Sequence, residues 1–363
     1  MKLEHRIGQL LLIGLPGAQL DAAAREMLEA IQPGGVILMG HNIESAQQVA
    51  ELNQSIRSVI EVPPIIGVDQ EGGRVDRLKN IYSPMPSADL LRASGDASIA
   101  ARLGEITAEA LRTLGFNINF APVLDIALDD SIDNGLKGRY LGGTVAKVVR
   151  LAGAYLEGLQ RGGVIGVGKH FPGLGAATVD SHNELPVINR SRDEIMRYEI
   201  SPYTEMFSKI NARLNAVIVA HAHYPAFDGP SPLPSSLSKN IVTGLLRDEL
   251  SFKGLSITDD LEMGAITKSR DIGEAAVMAI EAGVDMVMVT GAHSPDAVNQ
   301  SWQAMTEAAR NGRITKTHIN RAFDHIARIK SMVSPPHAVS DMNIARLRER
   351  IAELNLVLQH SRQ

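Results

Sequence analysis

Val164-Ile165-Gly166-Val167-Gly168-Lys169-His170-Phe171-Pro172-Gly173 is the stretch on which the reading of the fold turns. The run Val164 to Val167 is apolar without alternation, the mark of a short strand buried on both faces, as in parallel sheets. Lys169 and His170 fall where that strand ends and the chain turns outward. Pro172, Gly173, Gly175 and the small residues around them describe a mobile surface loop without large apolar anchors, which carries Asp180 and His182. Two positions apart in extended chain, the aspartate and the imidazole lie on one side. The carboxylate can then fix the ring's tautomer and raise its basicity for general acid/base work.

The same sequence of apolar run, polar strand end and amphipathic segment recurs along the chain. Strands are expected at Leu10 to Ile13, Val36 to Met39, Ile65 to Val68, Ile118 to Phe120, Val164 to Gly168, Ala216 to Ala220, Leu255 to Thr258 and Met286 to Val289. Helical periodicity falls between them, at Glu44 to Ile60, Ser98 to Leu114, Val145 to Arg161, Arg192 to Ile210, Lys239 to Leu250 and Gly273 to Ala282. Glycines close several of these helices, as at Gly115, Gly162-Gly163 and Gly283. Eight such units predict a TIM-like (β/α)8 barrel in the α/β class. The alternative, an open doubly wound sheet, lacks its nucleotide-binding Gly-x-Gly-x-x-Gly after the first strand. Two insertions, Pro84 to Ser94 and Pro225 to Ser238, read as long loops at the catalytic face. Helices at Pro295 to Arg310 and Lys316 to Met332 complete a catalytic barrel over 1–334. A Ser-Pro-Pro break then leads to a helical tail over 335–363, with its helix near Met342 to Leu358, packed on the barrel's outside.

Composition narrows the function classes. Over 363 residues, 36 Lys and Arg stand against 41 Asp and Glu, with no basic run, so no nucleic-acid partner is expected. The absence of cysteine excludes disulfides and thiolate-ligated metals. Met1 to Arg6 carries charges of both signs, and the apolar run Leu10 to Leu15 is too short for a signal segment and reads as a first strand. No stretch is long and apolar enough to span a bilayer, so the reading is a soluble cytoplasmic protein acting on a small ligand, with a monomer sufficient.

In a barrel the chemistry sits at the carboxyl ends of the strands. Asp69, Arg77, Arg139, Lys169 and His170 occupy separate strand ends and loops. A carboxylate among several cationic donors suits a ligand covered in hydroxyls, each both donor and acceptor, and so points to a carbohydrate. Asp259, directed at the middle of such a pocket, is placed to attack or stabilise an anomeric carbon. His221 joins the binding candidates, while His223 reads as a loop hydrogen-bonder. Asp125 and Asp260 read as caps or arginine partners, and Asp285, before the eighth strand, as structural.

Lys169-His170-Phe171-Pro172-Gly173, Asp180-Ser181-His182, Val68-Asp69-Gln70-Glu71-Gly72-Gly73-Arg74-Val75, Ala121-Pro122-Val123-Leu124-Asp125 and Thr258-Asp259-Asp260-Leu261-Glu262-Met263 together resemble glycoside hydrolase family 3, in particular its single-barrel β-N-acetylglucosaminidases. The resemblance implies a retaining hydrolase with Asp259 as nucleophile and His182, partnered by Asp180, as acid/base. It implies that Asp69, Arg77, Arg139, Lys169 and His170 hold the non-reducing sugar, with no metal or other cofactor. It also implies trimming of N-acetylglucosamine from cell-wall muropeptides during peptidoglycan recycling. Where the family often has Pro-Gly-His-Gly, this chain has Leu174, which bears on loop packing and aglycone preference. The same site would serve a β-glucosidase or a glycoside phosphorylase. A metal-dependent barrel hydrolase built on His221 and His223 is the rival from another class.

Overall fold

The computed structural model describes residues 1–126, 129, 131–209, 212–294 and 296–360. Eight strands close a parallel barrel: β1 (Leu11–Ile13), β2 (Gly35–Leu38), β3 (Ile65–Val68), β4 (Ile118–Asn119), β5 (Ile165–Phe171), β6 (Ala216–Val219), β7 (Leu255–Asp260) and β8 (Met286–Val289). Each pairs with its sequence neighbours, and β8 closes on β1 with Leu11 opposite Val287 and Ile13 opposite Val289. The expected (β/α)8 barrel is therefore the fold. Every residue of β1, β2, β3, β6 and β8 is buried, which is why these strands read as unbroken apolar runs.

Two strands run past their expected ends, and both extensions matter for the site. β5 continues to Phe171 and β7 to Asp260, so Lys169, His170, Asp259 and Asp260 are strand residues rather than the first residues of loops. Parallel pairing explains the first case: the segment after β4 follows β5 upward, with Lys169 N donating to Pro122 O at 3.2 Å and Leu124 N to Lys169 O at 2.7 Å.

The helix expected from Arg192 to Ile210 is split into Arg192–Glu194, a wider π turn over Ile195–Ile200, and Ser201–Ser208, with Ile210 outside the described residues. Pro202 has no N–H to offer the Tyr198 carbonyl, which favours the wider turn before it. The helix before the final pair of helices starts at Ala297, and Pro295 also lies outside the described residues. A helix at Ala22–Ile31, capped by Asp21, fills the β1 to β2 crossover. Pro84 to Ser94 is not a plain loop: Ser87 caps a helix over Ala88–Ser94, its Oγ accepting from Leu90 N at 3.3 Å. The last helix, Asp341–His360, buries Ile344, Leu347, Ile351, Leu354 and Leu358 against the helix Ala97–Thr113 and its surroundings. Arg348 fastens it by donating twice to the Ile81 carbonyl, at 2.9 and 2.7 Å.

Candidate active site

A pocket of about 300 Å³ opens at the carboxyl ends of the strands. Asp69 follows β3, Lys169 and His170 lie near the end of β5, and Asp259 is the last residue but one of β7, so the barrel itself aims these four at one space. Arg77, Arg139, Asp180 and His182 reach the same space from loops.

Beneath one wall lies an ion network. Lys169 is 3 % exposed and sits between two carboxylates, Asp69 Oδ1 at 2.5 Å and Glu71 Oε1 at 2.6 Å. Arg139 grips Glu71 with both arms of its guanidinium, Nε to Oε2 and Nη2 to Oε1, each at 2.8 Å. Glu71 is the residue the sequence reading passed over. Burial pushes its carboxyl up, but Lys169 and Arg139 outweigh burial and hold it far below the usual carboxylate range. No local signal marks it, because only the fold shows that Lys169 and Arg139 share one buried wall, where two cations need more than one carboxylate to be tolerated. Asp69 stays partly open to the pocket, so its second oxygen remains for a ligand. Arg77 turns toward the same space, and among the described residues its buried Nε has no hydrogen-bond partner.

Asp125 orients His170. Its Oδ2 meets His170 Nδ1 at 2.6 Å and accepts His170 N at 3.2 Å, while Oδ1 accepts Leu174 N at 2.6 Å. A carboxylate only accepts, so Nδ1 carries the proton and Nε2 points away, 3.5 Å from Arg139 Nη2.

His182 and Asp180 form the expected pair, Nδ1 to Oδ1 at 2.7 Å, with the His182 amide donating to the same oxygen at 2.9 Å. The His182 side chain is 66 % exposed and presents Nε2 outward. The loop that carries it departs from expectation. Phe171, Leu174 and Ala177 are buried, so its first half is anchored in the core, and the substitution that puts leucine at 174 supplies one of the anchors. Its far end is tied down too: Gly264 N donates to His182 O at 2.9 Å and Ala265 N to Ser181 O at 3.2 Å, joining the loop to the segment just after Asp259.

Asp259 and Asp260 part company here. Asp259 lines the pocket, and its Oδ1 accepts the next amide at 3.0 Å. Burial would raise its carboxyl, but the imidazoles of His170, His221 and His182 together outweigh burial and leave it below the usual range. Asp260 anchors the loop after β8 through Thr290, Oγ1 to Oδ2 at 2.5 Å, and burial pushes its carboxyl up to about 6. Glu262 finishes that clamp by accepting from the amides of Ala292 at 2.9 Å and Ser294 at 2.8 Å.

His221 does not fit the ligand-binding role expected of it. It is fully buried and spends both nitrogens on the protein, Nδ1 on Ser236 Oγ at 2.8 Å and Nε2 on Asp260 O at 3.0 Å. It stands behind Asp259 and leaves no donor for a sugar. His223 Nδ1 accepts Leu233 N at 3.3 Å, and among the described residues no three His, Asp or Glu side chains are grouped as metal ligands. Asp285 lies at the other end of the barrel in an ion pair with Arg247 at 2.6 Å.

Residues 2–329 match the family model described as the glycosyl hydrolase family 3 N terminal domain. The chain belongs to glycoside hydrolase family 3. Among family relatives, a protein named beta-hexosaminidase from Idiomarina loihiensis is 34 % identical over 283 residues, covering 77 % of this chain and 83 % of that one. Another of that name from Pseudomonas aeruginosa is 35 % identical over 280 residues, covering 77 % and 81 %. Among solved family 3 structures, a β-N-acetylglucosaminidase from Paenibacillus sp. str. FPU-7 superposes with a TM-score of 0.88 at 35 % identity, over 98 % of this chain and 69 % of that one. As a family 3 protein the chain is a glycoside hydrolase. No helix among its described residues is long and apolar enough to cross a membrane.

Proposed function

We propose that the chain is a retaining exo-β-N-acetylglucosaminidase acting on muropeptide fragments in the cytoplasm. The observation that carries the reading is the pocket that holds two chemically distinct players: an ionised, half-buried Asp259 among imidazoles, and an outward-facing His182 Nε2 whose Nδ1 is fixed by Asp180. The names of its relatives support the sugar, and their spread over most of the chain supports carrying it across.

Substrate enters with its terminal sugar against Asp69, Arg77, Arg139, Lys169 and His170, which bridge its hydroxyls. Asp259 must be ionised to attack the anomeric carbon, and a carboxyl held below its usual range is ionised at neutral pH. As the glycosidic bond breaks, His182 in its imidazolium form gives the Nε2 proton to the departing oxygen. Asp180 stabilises that imidazolium through Nδ1. The covalent β-sugar becomes an α-linked ester on Asp259. Neutral His182 then takes a proton from water as the water attacks, and the β-configuration returns.

The test compares nitrophenyl N-acetyl-β-glucosaminide with the plain β-glucoside and follows a 2-deoxy-2-fluoro glycoside onto the protein. The reading expects preference for the acetamido substrate and a label on the peptide that contains Asp259. Equal rates on both sugars would remove the acetamido requirement, and a label elsewhere would remove the nucleophile.

A further inference from the structure

Below the acid/base loop lies a second buried carboxyl that the reaction does not use. Glu199, in the π turn, is 2 % exposed. Its Oε1 accepts from Arg190 Nη1 at 3.3 Å, and its Oε2 makes no close hydrogen bond among the described residues. The side chain lies close under the loop at Gly173. A Cβ placed on Gly173 would lie 2.7 Å from both Cβ and Oε2 of Glu199, and Gly173 has φ +140°, a conformation that glycine alone takes without strain. Tyr224 Oη fixes the same glycine by donating to its carbonyl at 2.5 Å. One residue on, the Leu174 amide binds Asp125, which holds His170.

We propose that Glu199 is a positioning residue for the catalytic loop, which it holds in the working geometry while protonated and loosens when ionised. The inference rests on the functional reading above. The groups facing Glu199 are Asp125 from the segment after β4, Arg190 just before its own helix, Tyr203 one turn later, Tyr224 from the loop after β6, and the Gly175 amide. Burial first and Asp125 second push its carboxyl up to about 7, against Arg190 and the Gly175 amide. The tyrosines are themselves pushed well up and stay neutral. Ionisation therefore puts a second negative charge beside Asp125, which Arg190 at 3.3 Å and the Gly175 amide answer only in part against the burial of the site. The accessible relief is for the segment from Gly173 to Gly175 to lift and admit water. That movement draws the Leu174 amide off Asp125, frees His170, and carries the Asp180–His182 pair out of line.

The experiment uses nitrophenyl N-acetyl-β-glucosaminide, whose leaving group needs no proton, so deprotonation of His182 does not slow the first step. Turnover is measured from pH 5.5 to 9 for wild type, Glu199→Gln and Glu199→Ala. Gln mimics the protonated carboxyl, so the ratio of kcat at pH 8 to kcat at pH 6 should rise about fivefold to tenfold over wild type, as expected where a group of pKa about 7 is one-tenth protonated at pH 8. Glu199→Ala, which leaves a void under Gly173, should lower kcat at least tenfold at every pH while KM moves less than threefold. Wild-type and Glu199→Gln profiles that superimpose would overturn the proposal, as would Glu199→Ala with wild-type turnover. A wild type that does not hydrolyse the substrate would instead count against the functional reading.

Discussion

Glu71→Gln is the perturbation that asks most of the site. In the native pocket one buried carboxylate answers two buried cations, with three contacts of 2.6 to 2.8 Å. Gln keeps the shape but removes the charge. Lys169 retains Asp69, whereas Arg139 loses its carboxylate partner and faces an amide whose N–H groups cannot accept from it. Breaking a buried ion pair from one side costs about 3–5 kcal/mol, because the abandoned charge stays desolvated. The pH dependence has a definite sign. The folded-state Glu71 carboxyl lies far below its unfolded value near 4.5, so its contribution is complete above that value and is lost as pH falls below it. The stability gap between wild type and variant should thus be flat from pH 6 to 8 and shrink on acidification below about 4.5. Urea unfolding at pH 7 and pH 4 measures the gap. Initial rates at pH 7 should show KM raised about tenfold or more, since Lys169 and Arg139 lose their fixed positions against the sugar. A variant less than about 1 kcal/mol weaker at pH 7 with unchanged KM would show that the network is hydrated and unimportant. A gap that widened on acidification would invert the linkage.

Asp259→Ala should cost on the order of 10⁴ in turnover, while Asp260→Ala should lower melting temperature more than activity because it releases the Thr290 anchor; a reversed order in activity would shift the nucleophile by one residue. Proton NMR of the first product from a β-glycoside should show the β-anomer, and an α-anomer would replace the covalent step with direct attack by water. His182→Ala should slow natural disaccharides far more than activated aryl glycosides, with azide restoring turnover on the latter as a glycosyl azide. Equal losses on both substrates and no azide effect would make His182 a binding residue.

The barrel was legible because its strands are buried on both faces and so cannot alternate: Ile65–Val68 and Met286–Val289 match residue for residue. What the reading missed lies where a contact is made by distant chain. Nothing local marks the end of β5, since Lys169 and His170 look like a solvated strand end. They are buried because Asp69, Glu71 and Asp125, from the two strand ends before β5, arrive to neutralise and bind them. His221 was misassigned for the same reason: its type and place fit a ligand contact, and only Ser236 and the Asp260 carbonyl, 15 and 39 residues away, show that it is spent. The loop was read from its glycines and small residues as loosely held. Yet Leu174 is an apolar anchor inside it, and glycine at 173 serves close contact with Glu199 rather than freedom. Composition reports how many conformations a segment can reach, while mobility depends on what it packs against. In this chain the half of the loop nearest β5 is fixed by packing and the half carrying His182 is held by two backbone hydrogen bonds to the residues after Asp259. Acid/base and carboxylate are thereby mounted on one connected frame, so a change that loosens either end should be felt at both.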